Sequence, residues 1–99
     1  MKCDLKAELI KEIISIAQKY PISKIVLFGS RAKGDNSPTS DIDLAVYTLP
    51  EFAHIGHFTS DIGDMQTLLK IDIIFVDKCR NEKLIENIKK EGVKIYERL

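Results

Sequence analysis

Five consecutive residues, Lys24-Ile25-Val26-Leu27-Phe28, constrain this chain more than any other segment. The run is apolar after its first residue and is closed by Gly29. Side chains alternate between the two faces of a strand, so an unbroken apolar run predicts a strand buried on both faces. Such a strand needs packed layers above and below it. A chain of 99 residues, 44% of them apolar, has the material to build them as one domain. With 30% charged residues it reads as globular rather than disordered or fibrous.

The flanking segments supply the layers. Residues 4–19 place Leu5, Leu9, Ile13, Ile16 and Ala17 at helical spacing, with Asp4 as a candidate N-cap and Pro21 as a stop. Residues 33–40 are a turn-rich loop, and Asp41–Tyr47 alternates as a second strand. Between 51 and 69, Phe52, Ile55, Phe58, Ile62 and Met65 keep helical spacing, but Gly56 and Gly63 predict an interrupted helix. A third strand is expected at Ile71–Val76, and a helix at 81–91 with Gly92 as its C′ residue. Val93–Glu97 alternates as a short closing strand. Helices alternate with strands and no linker or repeat interrupts them, so residues 1–99 are expected to form a single α/β domain.

Charge narrows the functional classes. Fifteen basic and fifteen acidic side chains cancel, which argues against a protein that grips long nucleic acid through its phosphates. No apolar run is long enough to span a bilayer, and Met1–Leu5 carries no signal-peptide core. Two cysteines, Cys3 and Cys79, are too few for a disulfide framework, so a reducing, cytoplasmic location is expected. The cancellation is uneven along the chain. Residues 41–77 hold seven acids against one base, Lys70, while the segments on either side are each in basic excess. Carboxylates are gathered in the middle.

Three features there carry chemistry. Gly29-Ser30 follows the buried strand: it is either an ordinary strand-to-helix turn or, if a short helix begins at Ser30, a phosphate-sized anion site. Asp41 and Asp43 stand at i and i+2, so both carboxylates share one face while Ile42 turns to the core. They are either acids at an exposed strand start or hard oxygen ligands suited to Mg²⁺. Asp72 interrupts the apolar strand Ile71-Asp72-Ile73-Ile74-Phe75-Val76. It is either an edge acid paired with a Lys or Arg, or a third ligand that could also take a proton from an attacking hydroxyl.

Taken together, the spacing is Gly29-Ser30, ten residues, Asp41-x-Asp43, and a third acid about thirty positions on. This pattern resembles the minimal nucleotidyltransferases of the DNA polymerase β-like superfamily. The likeness runs from Val26 to Gly34, from Ser40 to Val46, from Leu68 to Ile74 and from Ile85 to Tyr96. It implies a mixed β-sheet with flanking helices and nucleotidyl transfer from a nucleoside triphosphate. By the same resemblance Gly29 and Ser30 would hold the triphosphate, and Asp41, Asp43 and Asp72 would coordinate two Mg²⁺ ions, with Asp72 available to the hydroxyl proton. Arg31 and Lys33 are either groups that neutralise phosphate charge or solvated loop residues, and solvation is the expected state of Lys33.

The chain is too short to carry the acceptor-binding domains of larger relatives, so the acceptor is expected on a partner. Stand-alone proteins of this type resemble the antitoxin half of HEPN/MNT toxin–antitoxin pairs. The resemblance implies transfer of AMP from ATP to a tyrosine hydroxyl of a HEPN ribonuclease toxin. A binding-only antitoxin and a free enzyme acting on a small molecule are the alternatives. His54 and His57 lack a third ligand and read as incidental, and Cys79, between Lys78 and Arg80, reads as a residue leading into the last helix.

Overall fold

The central apolar run is covered on both sides. The computed structural model describes residues 5–50, 55–65 and 67–98, and in it the run lies within strand β1 (Ile22–Phe28). Ile25 and Leu27 are fully buried on one face and Val26 is buried on the other. The remaining elements, in chain order, are α1 (Ala7–Ala17) before β1, then α2 (Ser30–Lys33), β2 (Ile42–Thr48), α3 (Ile55–Gly63) and β3 (Ile71–Phe75). A 3₁₀ turn (Val76–Lys78), α4 (Glu82–Glu91) and β4 (Val93–Glu97) follow.

The four strands form one mixed sheet in the order β3-β2-β1-β4. β1 runs antiparallel to β2 and β4, whereas β2 and β3 are parallel. Parallel neighbours need a crossover, and α3 supplies it. Helices α1 and α3 cover one face, where Leu9, Ile13, Phe58 and Ile62 pack on Ile25, Leu27, Leu44 and Val46. The other face is covered by α4, whose Ile88 packs on Val26 and Ala45. Of the α-helices, α4 alone contributes to that second cluster among the described residues.

Several boundaries differ from the sequence reading, for identifiable reasons. Helix α1 starts at Ala7 rather than residue 4; Lys6 sits at its N-cap in extended conformation, and Asp4 lies outside the described residues. Helix α3 passes through Gly56 without a break and ends at Gly63, while Phe52 and the side chain of Ile55 lie outside the described residues. Gly56 stands in its first turn and Gly63 at its last residue, where helix propensity matters least. Burying Phe58, Ile62 and Met65 contributes about 1.5–3 kcal/mol each, more than the ~1 kcal/mol a helical glycine costs.

Gly92 is also explained differently. Its φ of −71° and ψ of 154° are extended, so it is not the left-handed C′ residue that the sequence suggests. Instead a Cβ there would collide with the Ile88 carbonyl oxygen and Val26 Cγ1, so only glycine lets α4 turn directly into β4. Gly92→Ala should therefore destabilise the protein by about 1–3 kcal/mol, read as a lower midpoint in urea with an unchanged m-value. At the other end of α4, Asn81 Oδ1 accepts from the Leu84 N–H at 3.1 Å, an N-cap that sets where the helix begins.

Candidate active site

The two halves of the candidate site meet at the end of β1. Gly29 has φ 79° and ψ −158°, a backbone region open essentially to glycine alone. Its α-carbon also faces a carboxylate: a Cβ there would stand 2.5 Å from Asp43 Oδ2. The chain then turns into α2, where the Ala32 and Lys33 N–H groups return to the Gly29 carbonyl and Gly34 closes the turn in the left-handed conformation. Four residues make too short a helix for a substantial dipole. What the turn offers an anion is close access to backbone at Gly29 and the half-buried Ser30 with its hydroxyl.

Register places the acids beside this turn. Phe28 pairs with Asp43 across β1 and β2, and Asp43 pairs with Asp72 across β2 and β3. The two-residue period holds as expected: Ile42, Leu44 and Val46 are fully buried on the α1 face, while Asp43, Ala45 and Tyr47 belong to the opposite one. Asp43 and Asp72 are half-buried; Asp41, one residue before β2, is exposed. Burial, then the neighbouring charges of Asp72 and Asp41, holds the Asp43 carboxyl above the usual carboxylate range. The charges of Asp41 and Asp72 therefore both reach Asp43 at the edge of the glycine turn.

Asp72 needs no special compensation for burial, because β3 is an edge strand whose residues are all half-buried. Its Oδ1 lies 3.5 Å from Lys70 Nζ, two residues earlier on the exposed side. The first alternative in the sequence is thus realised, an edge acid with a lysine partner, and the register also sets Asp72 opposite Asp43. Lys70 is the one base of residues 41–77, and its i, i+2 relation to Asp72 places it on the same side of the edge strand.

Among the described residues no group of three His, Cys, Asp or Glu side chains is arranged to hold a metal ion. The donor chemistry nevertheless fits a divalent cation. The oxygens are hard, and the upward pull on Asp43, from burial first and then from the charges of Asp72 and Asp41, is one that a cation would oppose. Lys70 supplies the counter-charge that Asp72 has here.

The basic candidates are disposed differently. Lys33 is half-exposed and paired with Glu91 at 3.0 Å, a contact that raises its pKa. Arg31 is 5% exposed, and its guanidinium donates to the Pro38 and Ser40 carbonyls at 3.0 Å each. It also lines a groove of about 740 Å³ with Leu5, Leu9, Pro38, Leu68 and Leu69, a groove that includes none of the three aspartates. His57 is exposed on α3 and His54 lies outside the described residues. Cys79 is half-buried at the end of the 3₁₀ turn, with its N–H bonded to the Val76 carbonyl.

A mixed sheet that sets a carboxylate pair against a glycine turn is the core of a nucleotidyltransferase. Residues 11–99 match the family "Polymerase beta, Nucleotidyltransferase", and the chain belongs to that family. It is similar to a candidate protein adenylyltransferase of Methanocaldococcus jannaschii, at 25% identity over 97 residues covering 93% of this chain and 95% of that protein. A second such protein of that organism is 24% identical over 90 residues, covering 89% and 91% of the two chains. Among solved structures, the chain is similar to a toxin–antitoxin complex crystallised with AMP-PNP, with a TM-score of 0.67 and 20% identity over 90% of this chain and 73% of that one. A candidate nucleotidyltransferase of Sulfolobus solfataricus gives a TM-score of 0.57 at 24% identity, covering 92% and 79%. At these identities the structural likeness establishes the shared fold. Among the described residues no helix is long and apolar enough to cross a membrane.

Proposed function

We propose that this chain is an antitoxin that transfers AMP from ATP to a tyrosine hydroxyl of a HEPN ribonuclease toxin and so neutralises it. One observation carries the reading: the Asp43 carboxylate lies against the Gly29 backbone on one side and opposite Asp72 on the other. A phosphate loop and a carboxylate pair are thereby within reach of the same small substrate. The candidate adenylyltransferases among its relatives, and the toxin–antitoxin complex with AMP-PNP among its structural neighbours, support the choice of nucleotide and of partner.

In this reading Gly29 lets the triphosphate approach the backbone, and Ser30 donates its hydroxyl to the β/γ end. The acceptor oxygen forms a bond to the α-phosphorus while the bond from that phosphorus to the bridging oxygen breaks, and pyrophosphate departs with that oxygen. Asp72, on the edge strand and open to an incoming partner, takes the hydroxyl proton. Asp41, Asp43 and Asp72 would hold Mg²⁺, two ions by family resemblance, which supply Lewis-acid charge to the phosphates. The reaction belongs in the cytoplasm, where ATP and a reducing milieu coincide.

The test uses α-labelled ATP, Mg²⁺ and a co-expressed HEPN partner. Label should appear on the partner, with a mass increase of one or more AMP units, and should be lost in Asp41→Asn. If Asp41→Asn neutralises the toxin fully and no label ever forms, the protein is a binding-only antitoxin and the proposal fails. Label recovered only in a small molecule defeats it equally.

A further inference from the structure

Arg31 follows Gly29-Ser30 directly, and its charge alone suggests a phosphate contact. Its surroundings point elsewhere. Burying a guanidinium is costly unless its donors are satisfied, and Arg31 is only 5% exposed. Nε donates to the Ser40 carbonyl and Nη2 to the Pro38 carbonyl, each at 3.0 Å. The side chain also lines the groove beside Leu9 of α1, on the sheet face opposite the one to which Asp43 belongs.

The two carbonyls belong to a turn that is closed on itself. The Ser40 N–H returns to the Ser37 carbonyl at 3.2 Å, and the Ser37 N–H donates to Ser40 Oγ at 2.9 Å. The Ser40 carbonyl is part of the peptide unit whose N–H belongs to Asp41. Holding that carbonyl fixes the plane from which Asp41 enters β2. The guanidinium itself is anchored in α2, one residue after Ser30.

We propose that Arg31 is a positioning residue that sets the separation and orientation of the Ser30 turn and Asp41, and does not touch the nucleotide. The proposal rests on the nucleotidyl-transfer reading above. A planar fork is needed because two carbonyls at different points of the turn are held at once; a lysine ammonium is a point charge on a flexible stem. Displacement of a positioned group by about 1 Å lowers a rate by roughly 100-fold while leaving local ligand contacts in place.

The full-length Arg31→Lys protein, assayed with ATP and its acceptor partner, should lose about 10- to 100-fold in kcat with KM for ATP changed by less than about twofold. A phosphate contact would give the reverse: lysine would preserve most of kcat, and KM for ATP would rise. A second measurement needs no variant. In ¹⁵N spectra of the wild-type protein, the Arg31 Nε–H resonance should be protected from exchange and unmoved by AMP-PNP with Mg²⁺, while amides at residues 29 and 30 shift. A large shift of the Arg31 Nε–H on nucleotide addition overturns the proposal, as does rapid exchange of that proton in the free protein. Failure of the functional reading is distinct: the wild-type protein then transfers nothing and residues 29 and 30 do not respond to nucleotide, whereas exchange at Arg31 still reports whether the strap exists.

Discussion

Asp43→Asn should abolish nucleotidyl transfer and, at the same time, make the metal-free protein melt higher at pH 7. On the proposed function the loss of activity should reach at least about 1000-fold, since the variant withdraws a charge that would hold the cations serving the phosphates, worth several kcal/mol of transition-state stabilisation. The gain in stability follows from the crowding around this acid. Burial and the charges of Asp72 and Asp41 hold the Asp43 pKa above its ordinary 3.8. The folded protein therefore binds a proton at this site more tightly than the unfolded chain does. That contribution is fully present below the ordinary carboxylate range and is lost as pH rises through the folded-state pKa. At neutral pH the ionised Asp43 works against folding, and asparagine removes the penalty. Melting curves of both proteins without divalent cations, from pH 7 down to pH 4, check the sign. The advantage of the variant should shrink as the pH falls; an asparagine variant that melts lower at pH 7 and higher at pH 4 would show that the electrostatic account is wrong.

The second large effect is expected at Gly29. An alanine there must hold φ near 79°, at about 1–3 kcal/mol, and its methyl group must displace the Asp43 carboxylate standing 2.5 Å away. For a domain of this size each kcal/mol lowers the melting temperature by roughly 4–8 °C. Transfer activity should fall with it, because the group pushed aside is the central acid of the site. The two costs can be separated. Asp43→Ala leaves room for the methyl group, so adding Gly29→Ala to that background should cost less than adding it to the wild type. The coupling expected for groups in contact is about 0.5–3 kcal/mol. Additive melting shifts would mean that the backbone conformation alone is responsible.

Much of this site is legible in the amino-acid order because its parts obey short-range rules. The run from Ile25 to Phe28 implies a strand covered on both faces, and the alternation Asp41-Ile42-Asp43-Leu44 implies acids on one face and core on the other. Burial of Ile42 and Leu44 beside half-buried Asp43 is that alternation realised. Where glycine acts through distant neighbours, the local rules fail. Gly92 looks like a helix terminator but is needed for its closeness to Val26, a residue of β1. Gly63 does end α3, as a local rule expects, but Gly56 is carried inside its first turn because Phe58 and Ile62 are held in the core.

The sequence by itself determined the glycine-serine turn, the spacing to the paired aspartates and the periodicities that make each segment a strand or a helix. These depend on residues a few positions apart. Tertiary structure alone decided that β3 lies parallel to β2, which sets Asp72 opposite Asp43, and that β3 is an edge, which leaves Asp72 open beside Lys70. It also decided the direction of Arg31, whose charge suits a phosphate but whose guanidinium donates to the carbonyls of Pro38 and Ser40. Pairing, edges and the choice of acceptor are settled by packing among segments far apart in the chain, and no local pattern encodes them.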